Sequence, residues 1–177
     1  MRILAILILS AMFLLNSCDS STEPEILSDS TKIMELVLTD QFYDDYTGYP
    51  LDRYTSDSIV KVYFIGVYEE VDSNYHFPNP PVDPERTLLN QFSDIGIEVK
   101  PASQAIFADY NEYYDRTTNE RGIFFFAGPI RWLSEIEAEV EAGYKFGGLS
   151  SHCLTYTVRM NDLAEWIIFS RRERWGS

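Results

Sequence analysis

A row of glutamates is the first feature whose residue types could do chemistry. Glu135, Glu137, Glu139 and Glu141 alternate with apolar residues, so in a strand their side chains would share one face. Carboxylates suit hard cations, but calcium takes six to eight oxygens that converge at about 2.3–2.6 Å. Alternate side chains on one strand stand roughly 6–7 Å apart, too far for such convergence. We therefore predict a solvated strand face, with Arg159 partnering Glu139, and no metal site.

The histidines and the downstream cysteine form no recognisable catalytic pattern. His76 lies in a proline-rich segment, and His152 directly precedes Cys153. Adjacent residues of a strand point to opposite faces, so His152 and Cys153 would not form a nucleophile–base pair. No HExxH pair, zinc spacing, GxSxG elbow or phosphate-binding glycine loop is present in the sequence. The sequence thus predicts no catalytic residue and no cofactor, and an inert strand cysteine at position 153.

The N-terminus has the pattern of an export signal. Met1 and Arg2 give a positively charged start, and the apolar run at residues 3–15 is interrupted only by Ser10. As a helix this run would rise roughly 20 Å, which is less than the roughly 30 Å of a bilayer's hydrocarbon core. A cleaved signal is therefore favoured over a permanent membrane-spanning helix.

The end of this signal resembles a bacterial lipobox. Leu15-Asn16-Ser17-Cys18 matches the pattern at which signal peptidase II cleaves and the new N-terminal cysteine is acylated. The resemblance implies that residues 1–17 are a lipoprotein signal peptide and that Cys18 is the lipidation site, with a diacyl or triacyl modification. Two or more acyl chains hold a protein stably on a bilayer. The polar segment 18–29 is predicted to be a tether.

The residue after Cys18 leaves the choice of membrane open. An aspartate at this position, Asp19, resembles an inner-membrane retention signal in some Gram-negative lineages. Acid-rich stretches after the cysteine resemble surface-export tags in others. The predicted location is therefore the cell envelope, lipid-anchored, on its periplasmic or outer surface side.

Charge and size narrow the class of protein. Removal of residues 1–17 leaves 13 basic and 28 acidic side chains, a formal charge of −15. Such a charge repels nucleic acid, so nucleic-acid binding is excluded. Residues 30–177 are long enough for one domain with a core of its own. Because Cys18 is consumed by lipid, Cys153 has no intramolecular partner and the core must form by packing alone.

Periodicity predicts two helices and several strands. The first helix spans about residues 31–43, and the second follows Asp83-Pro84-Glu85, with Asp83 as its cap and Gly96 closing it. Residues 44–58 and 76–84 are predicted to be loops. Strands are predicted, in chain order, at residues 59–71, 97–100, 105–114, 122–133 with a bulge or edge at Pro129, 135–146, 152–160 and 166–172.

The C-terminal third predicts a hairpin register. Placing Phe146 opposite His152 pairs Ala142 with Tyr156 on the apolar face and Glu139 with Arg159 on the polar face. The basic cluster Arg171, Arg172 and Arg174 is expected to pair with the acidic face.

The segment LTYTVRMNDLAEWIIFSRRERWGS resembles the closing hairpin of small exported bacterial domains, including cystatin-like and NTF2-like sheets. The resemblance implies an α+β fold in which one or two helices pack on an antiparallel sheet of about five or six strands. It carries no catalytic residues to this chain.

Three functions fit these observations. The favoured hypothesis is a non-catalytic, membrane-anchored lipoprotein domain that binds an envelope protein or ligand. The alternatives are an envelope enzyme with a pocket in a cone-shaped sheet, and a purely structural or assembly lipoprotein. A pocket with several polar groups of shifted pKa would favour the enzyme, and an exposed apolar patch would favour a binding partner.

Overall fold

A computed structural model of the chain describes residues 27–43, 60–70, 79–108, 112–146 and 150–176. The predicted signal, Cys18, the loop 44–58 and His76 lie outside these ranges. The described residues form two α-helices and one nine-stranded sheet. In chain order the elements are α1 Asp29–Tyr43, β1 Val62–Val67, α2 Arg86–Asn90, β2 Glu98–Pro101, β3 Ala105–Phe107, β4 Tyr113–Asp115, β5 Arg121–Ala127, β6 Arg131–Ser134, β7 Glu137–Phe146, β8 Ser150–Met160 and β9 Trp166–Gly176.

Helix α1 confirms the first predicted helix and begins two residues earlier than expected. Its start is fixed by Ser28, whose Oγ accepts a hydrogen bond from the Thr31 backbone N–H at 3.2 Å. Ile33, Val37 and Leu38 are fully buried along one side of the helix, which packs on β5, β7 and β9. The helix therefore covers one face of the sheet.

The sheet is mixed, so the expectation of an antiparallel sheet with five or six strands is wrong in both respects. The central order is β2-β1-β5-β7-β8-β9, with β4 beside β5, β3 beside β4 and β6 beside β7. Strand β1 runs parallel to both of its neighbours, β2 and β5, and the other pairs are antiparallel. Parallel neighbours need a crossover connection, and α2 lies in the one between β1 and β2.

Two of the predicted strands are each divided in two. The stretch 105–114 forms the short strands β3 and β4, which pair with each other as a hairpin. The stretch 122–133 forms β5 and β6, which are separated by residues 128–130. Pro129 has no N–H to donate to a ladder, and the chain leaves β5 there to pair with the other end of β7.

Helix α2 is present where predicted, but its cap is not Asp83. Both Asp83 carboxylate oxygens accept hydrogen bonds from Ser103, one from the backbone N–H at 2.7 Å and one from the hydroxyl at 2.6 Å. The helix instead begins after Glu85, which makes no side-chain capping bond. Gly96 has the left-handed φ of +84°, but α2 ends at Asn90 with Gln91 as its C-cap, so the prediction that Gly96 closes the helix is wrong.

The β7–β8 hairpin has the predicted faces and a different register. Val140 lies opposite Tyr156, and Ala142 lies opposite Leu154, so the predicted pairing is shifted by two residues. A two-residue shift leaves every side chain on its own face, which is why alternation alone could not exclude it. Gly143 explains why the hairpin adopts the observed register. A Cβ there would lie 1.9 Å from the His152 carbonyl oxygen, so only a glycine allows this approach of the two backbones.

The last strand is longer than predicted. Strand β9 starts at Trp166 as expected but continues to Gly176, pairing with β8 throughout. Two irregularities interrupt the ladder, between Thr157 and Val158 and between Cys153 and Leu154 on β8. A bulge inserts an extra residue and changes the inside–outside alternation, so the register of this strand has no simple period-two signature.

The main core lies between the helices and the sheet, on what we call the helix face. It contains residues from both helices and from all the long strands, namely Ile33, Val37, Leu38, Phe42, Val60, Tyr63, Ile65, Leu88, Phe92, Ile123, Phe125, Ala127, Ala138, Val140, Ala142, Tyr144, Leu154, Tyr156, Val158 and Trp166. The other side of the sheet, the far face, has a smaller buried cluster of Val62, Phe64, Tyr68, Phe124, Phe126 and Cys153.

Candidate functional site

The far face carries a cleft of about 570 Å³, which we call the aromatic cleft. Its lining includes Tyr68, Pro81, Val82, Phe107, Tyr113 and Phe124. Small-molecule sites are typically clefts of about 300–1,000 Å³ with mainly apolar and aromatic walls. In size and lining the cleft has the character of a binding site.

One wall of the cleft is the proline-rich segment after residue 79. Val82 is fixed to the end of β1 by two backbone hydrogen bonds with Val67, of 2.8 and 2.9 Å. The bonds from Ser103 to Asp83 hold the next residue of the same segment. Prolines restrict the backbone of this wall, so little conformational entropy remains to be lost when a ligand binds.

The opposite wall is the β3–β4 hairpin, and the floor is formed by β1 and β5. The Tyr113 ring stacks on Phe124 at a centroid distance of 5.0 Å, and Phe107 lies against Tyr113 at 5.2 Å. Gly66, in β1, allows the Phe124 ring and Pro81 to pack closely against the strand. A Cβ at Gly66 would lie 2.6 Å from the Phe124 ring and 2.8 Å from Pro81.

Two tyrosines and a lysine provide the polar groups near the cleft. Burial raises the pKa of Tyr68 to about 12 and that of Tyr113 to about 12, so both hydroxyls are neutral at pH 7. Lys145 donates a hydrogen bond to the Tyr68 hydroxyl at 3.3 Å, and its ammonium lies 5.6 Å from the Phe126 ring centroid. Burial also lowers the pKa of Lys145. The cleft can therefore hold an apolar or aromatic group, with hydroxyls that orient it.

A second groove on the far face, of about 290 Å³, is lined largely by charged residues. Arg131 is paired with Glu139, and Arg174 Nε lies 3.1 Å from Glu141 Oε1. Burial raises the pKa of Glu141, and the neighbouring Arg174 opposes this shift. The carboxylates of this groove are thus already neutralised by arginines, which leaves them poorly suited to a further ligand.

Three of the four glutamates of the row, Glu137, Glu139 and Glu141, form ion pairs, whereas Glu135 lies in the β6–β7 turn and not on the strand face predicted for it. Arg159 pairs with Glu137 at 3.0 Å, so the predicted pair of Arg159 with Glu139 is wrong, a direct result of the shifted hairpin register. Within the described residues, no three His, Cys, Asp or Glu side chains converge as metal ligands would. Of the basic cluster, Arg174 pairs with the acidic strand face as predicted, whereas Arg171 pairs with Asp40 of α1 at 3.2 Å.

His152 and Cys153 lie on opposite faces of the sheet, as predicted. His152 is buried on the helix face, where its ring packs against Tyr144 at 6.1 Å. Cys153 is fully buried in the far-face cluster, and burial raises the pKa of its thiol to about 12. Such a thiol is protonated at neutral pH, so it is not a poised nucleophile.

Sequence reasoning missed every residue of the aromatic cleft. Its walls come from segments that are distant in the sequence and that meet only because β1 pairs in parallel with β2 and β5. One signal was available in Gly66, a glycine within a β-branched and aromatic strand, which indicates close approach of another part of the chain.

No family model, curated protein or solved structure matches this chain. Neither described helix is long and apolar enough to cross a bilayer.

Proposed function

We propose that the protein is a lipid-anchored lipoprotein of the cell envelope and that its domain binds, without catalysis, an apolar or aromatic group of a partner. The observation that carries the binding role is the aromatic cleft, whose rim keeps apolar side chains in contact with solvent. Val82 and Phe107 line the cleft and are 42% and 59% exposed. Exposed apolar groups around an aromatic pocket are typical of recognition surfaces.

The chemistry of the cleft favours binding over catalysis. Its tyrosines have a pKa of about 12, too high for a general base at neutral pH. The cysteine beneath the far face is a protonated, fully buried thiol. We infer that the partner presents a flat or cyclic apolar group, such as an aromatic or proline side chain, which can lie against Tyr113 and Phe107.

The anchor supports a partner in the envelope, and it is tested by one substitution. Cys18→Ala removes the acylated sulfur, so we expect the protein to move from the membrane fraction to the soluble fraction, with loss of incorporated fatty acid. Continued acylation of this variant would refute the lipoprotein part of the proposal.

The likeness of the C-terminal hairpin to cystatin-like and NTF2-like sheets stays a prediction.

The cleft is tested by photocrosslinking in native envelopes. A photoreactive phenylalanine analogue at Phe107 should give a discrete crosslinked product, because this side chain lines the cleft. Phe169 is a matched control, since it is the same residue type, has an exposed fraction of 57% against 59%, and lies on β9 away from the cleft. Equal products at both positions, or none at 107, would refute the cleft as the binding site.

A further inference from the structure

One end of the sheet carries four exposed apolar side chains, which we call the apolar tips. They are Trp132, Leu133 and Ile136 around the β6–β7 turn and Leu163 in the β8–β9 turn. The first three are about half exposed, and Leu163 is 78% exposed. The two turns are adjacent, because the Met160 N–H donates a hydrogen bond to the Ile136 carbonyl at 2.9 Å.

The chain enters the domain at this same end. Helix α1 lies along β9, with Asp40 near its end paired to Arg171 at 3.2 Å. Asp40 is eleven positions after Asp29, a rise of about 16 Å in a helix, and Arg171 is five positions after Trp166, about the same length in a strand. Asp29 therefore lies beside Trp166, and the nearby Trp166 indole, with Lys32, lowers the pKa of Asp29.

The proposed anchor is within reach of this end. Asp29 is eleven positions after Cys18, and eleven extended residue steps span at most about 40 Å. Acyl chains on Cys18 would hold the far end of this segment in the bilayer. Of the two ends of the sheet, the one with the apolar tips is thus the end at which this segment joins the domain.

We propose that the apolar tips insert into the surface of the bilayer that holds Cys18, so that the domain rests on the membrane by this end. The proposal rests on the lipoprotein function proposed above. Tryptophan favours the headgroup region, and the leucine and isoleucine side chains gain by leaving water for the acyl boundary. Because the anchor keeps the domain close to the bilayer, its effective concentration at the surface is high, and insertion of a few apolar side chains is enough to dock it.

The charges around the tips select the type of lipid. Glu135, Asp162 and Glu165 are exposed in or beside the same two turns. Carboxylates are repelled by anionic headgroups, so docking should be stronger on zwitterionic lipid and weaker as anionic lipid is added.

The test uses the acylated full-length protein on phosphatidylcholine vesicles, with a nitroxide at Leu163→Cys. Cys153 is fully buried and Cys18 is acylated, so the new cysteine is the one that reacts. The matched control is Thr117→Cys, an exposed position in the turn between β4 and β5, at the opposite end of the sheet. We expect a loss of collisions with a water-soluble nickel chelate and a gain with oxygen at position 163 alone. Replacing part of the lipid with phosphatidylglycerol should reduce both changes.

The outcomes separate the two proposals. A vesicle-bound protein whose label at 163 is as accessible to the chelate as that at 117 overturns membrane docking and leaves the anchor standing. A protein that stays in the supernatant overturns the anchor, and docking with it. Protection of position 163 in native envelopes but not in vesicles also overturns docking, because it shows that a protein covers the tips.

Discussion

The two faces of the sheet carry the same residue types but pack them differently. On the helix face, Phe125 is covered by Phe42 and Tyr63 at centroid distances of 4.6 and 4.9 Å, and all three rings are buried. On the far face, the adjacent Phe124 supports a ring stack that ends in the largely exposed Phe107. Neighbouring residues of one strand thus serve a closed core on one side and an open cleft on the other.

The polar groups differ between the faces in the same way. On the helix face, Gln41 donates a hydrogen bond to the Tyr156 hydroxyl, which donates to Asp40 at 2.8 Å, and Asp40 is paired with Arg171. This network joins α1 to β8 and β9, and its Gln41 and Tyr156 are buried in the interface. On the far face, Arg159 pairs with Glu137 and Arg174 pairs with Glu141, so these ion pairs join side chains of the sheet and do not involve the helices. The polar groups of the helix face therefore join helix to sheet, whereas those of the far face join strands to one another.

The largest expected difference between the faces comes from removing one ring on each. Phe125→Ala should lower the free energy of unfolding by about 3–5 kcal/mol, because it leaves a cavity among packed rings. Phe107→Ala should change it by less than about 0.5 kcal/mol, since the side chain is largely exposed. Urea denaturation of both variants measures this, and a difference below about 1 kcal/mol would contradict the division between the faces.

A smaller difference is expected from removing one hydroxyl on each face. Tyr156→Phe leaves Gln41 Nε2 without its acceptor in the core, so we expect a loss of about 1–3 kcal/mol in unfolding free energy. The matched change on the far face is Tyr68→Phe, whose hydroxyl accepts from Lys145. Tyr68→Phe should lower the unfolding free energy by about 1 kcal/mol or less, because Lys145 is only partly buried and its ammonium can turn to water. Equal losses in the two variants would show that the polar network on the helix face is not special.

Acid should lower the stability of the protein by protonating Asp115 in the cleft wall. This effect is smaller than those of the two substitution pairs above and is confined to low pH. Lys100 lies 2.6 Å from this carboxylate and, with the Thr118 and Thr117 N–H groups, lowers the pKa of Asp115 from 3.8 to about 2. Because the folded pKa is the lower one, the contribution is present above pH 4 and is lost as the pH falls towards 2. The melting temperature should fall less steeply over this range in Asp115→Asn than in the native protein. Glu120→Gln, in the same turn, is the control, and an unchanged slope in Asp115→Asn would contradict this assignment.

Local patterns predicted the elements whose apolar residues follow one regular period. Helix α1 and the two-faced strands of the β7–β8 hairpin follow from apolar spacing, which depends on burial of one side and not on any distant residue. The register failed because alternation repeats every two residues, and the decisive feature was the backbone contact at Gly143.

Distant pairings could not be predicted in this way. The apolar run that forms β1 indicates a buried strand, but nothing in it specifies two parallel neighbours. The aromatic cleft depends on these neighbours, since they bring Val82, Ala102 and Phe124 around one space. The candidate site was therefore beyond the reach of local patterns, although each of its residues was visible in the sequence.

The parallel strand at the centre of the sheet also governs when the molecule can fold. Val62 pairs with Glu98 and Gly122, which follow it by 36 and 60 residues, so β1 gains its second neighbour only after β5 is available. Strands β7, β8 and β9 form a local meander that can close by itself. Long-range pairing slows folding and leaves apolar strands open to aggregation. After β1 has emerged, the chain must grow by 60 more residues, from Val67 to Ala127, before β5 is complete, and we expect a chaperone to cover β1 during this interval.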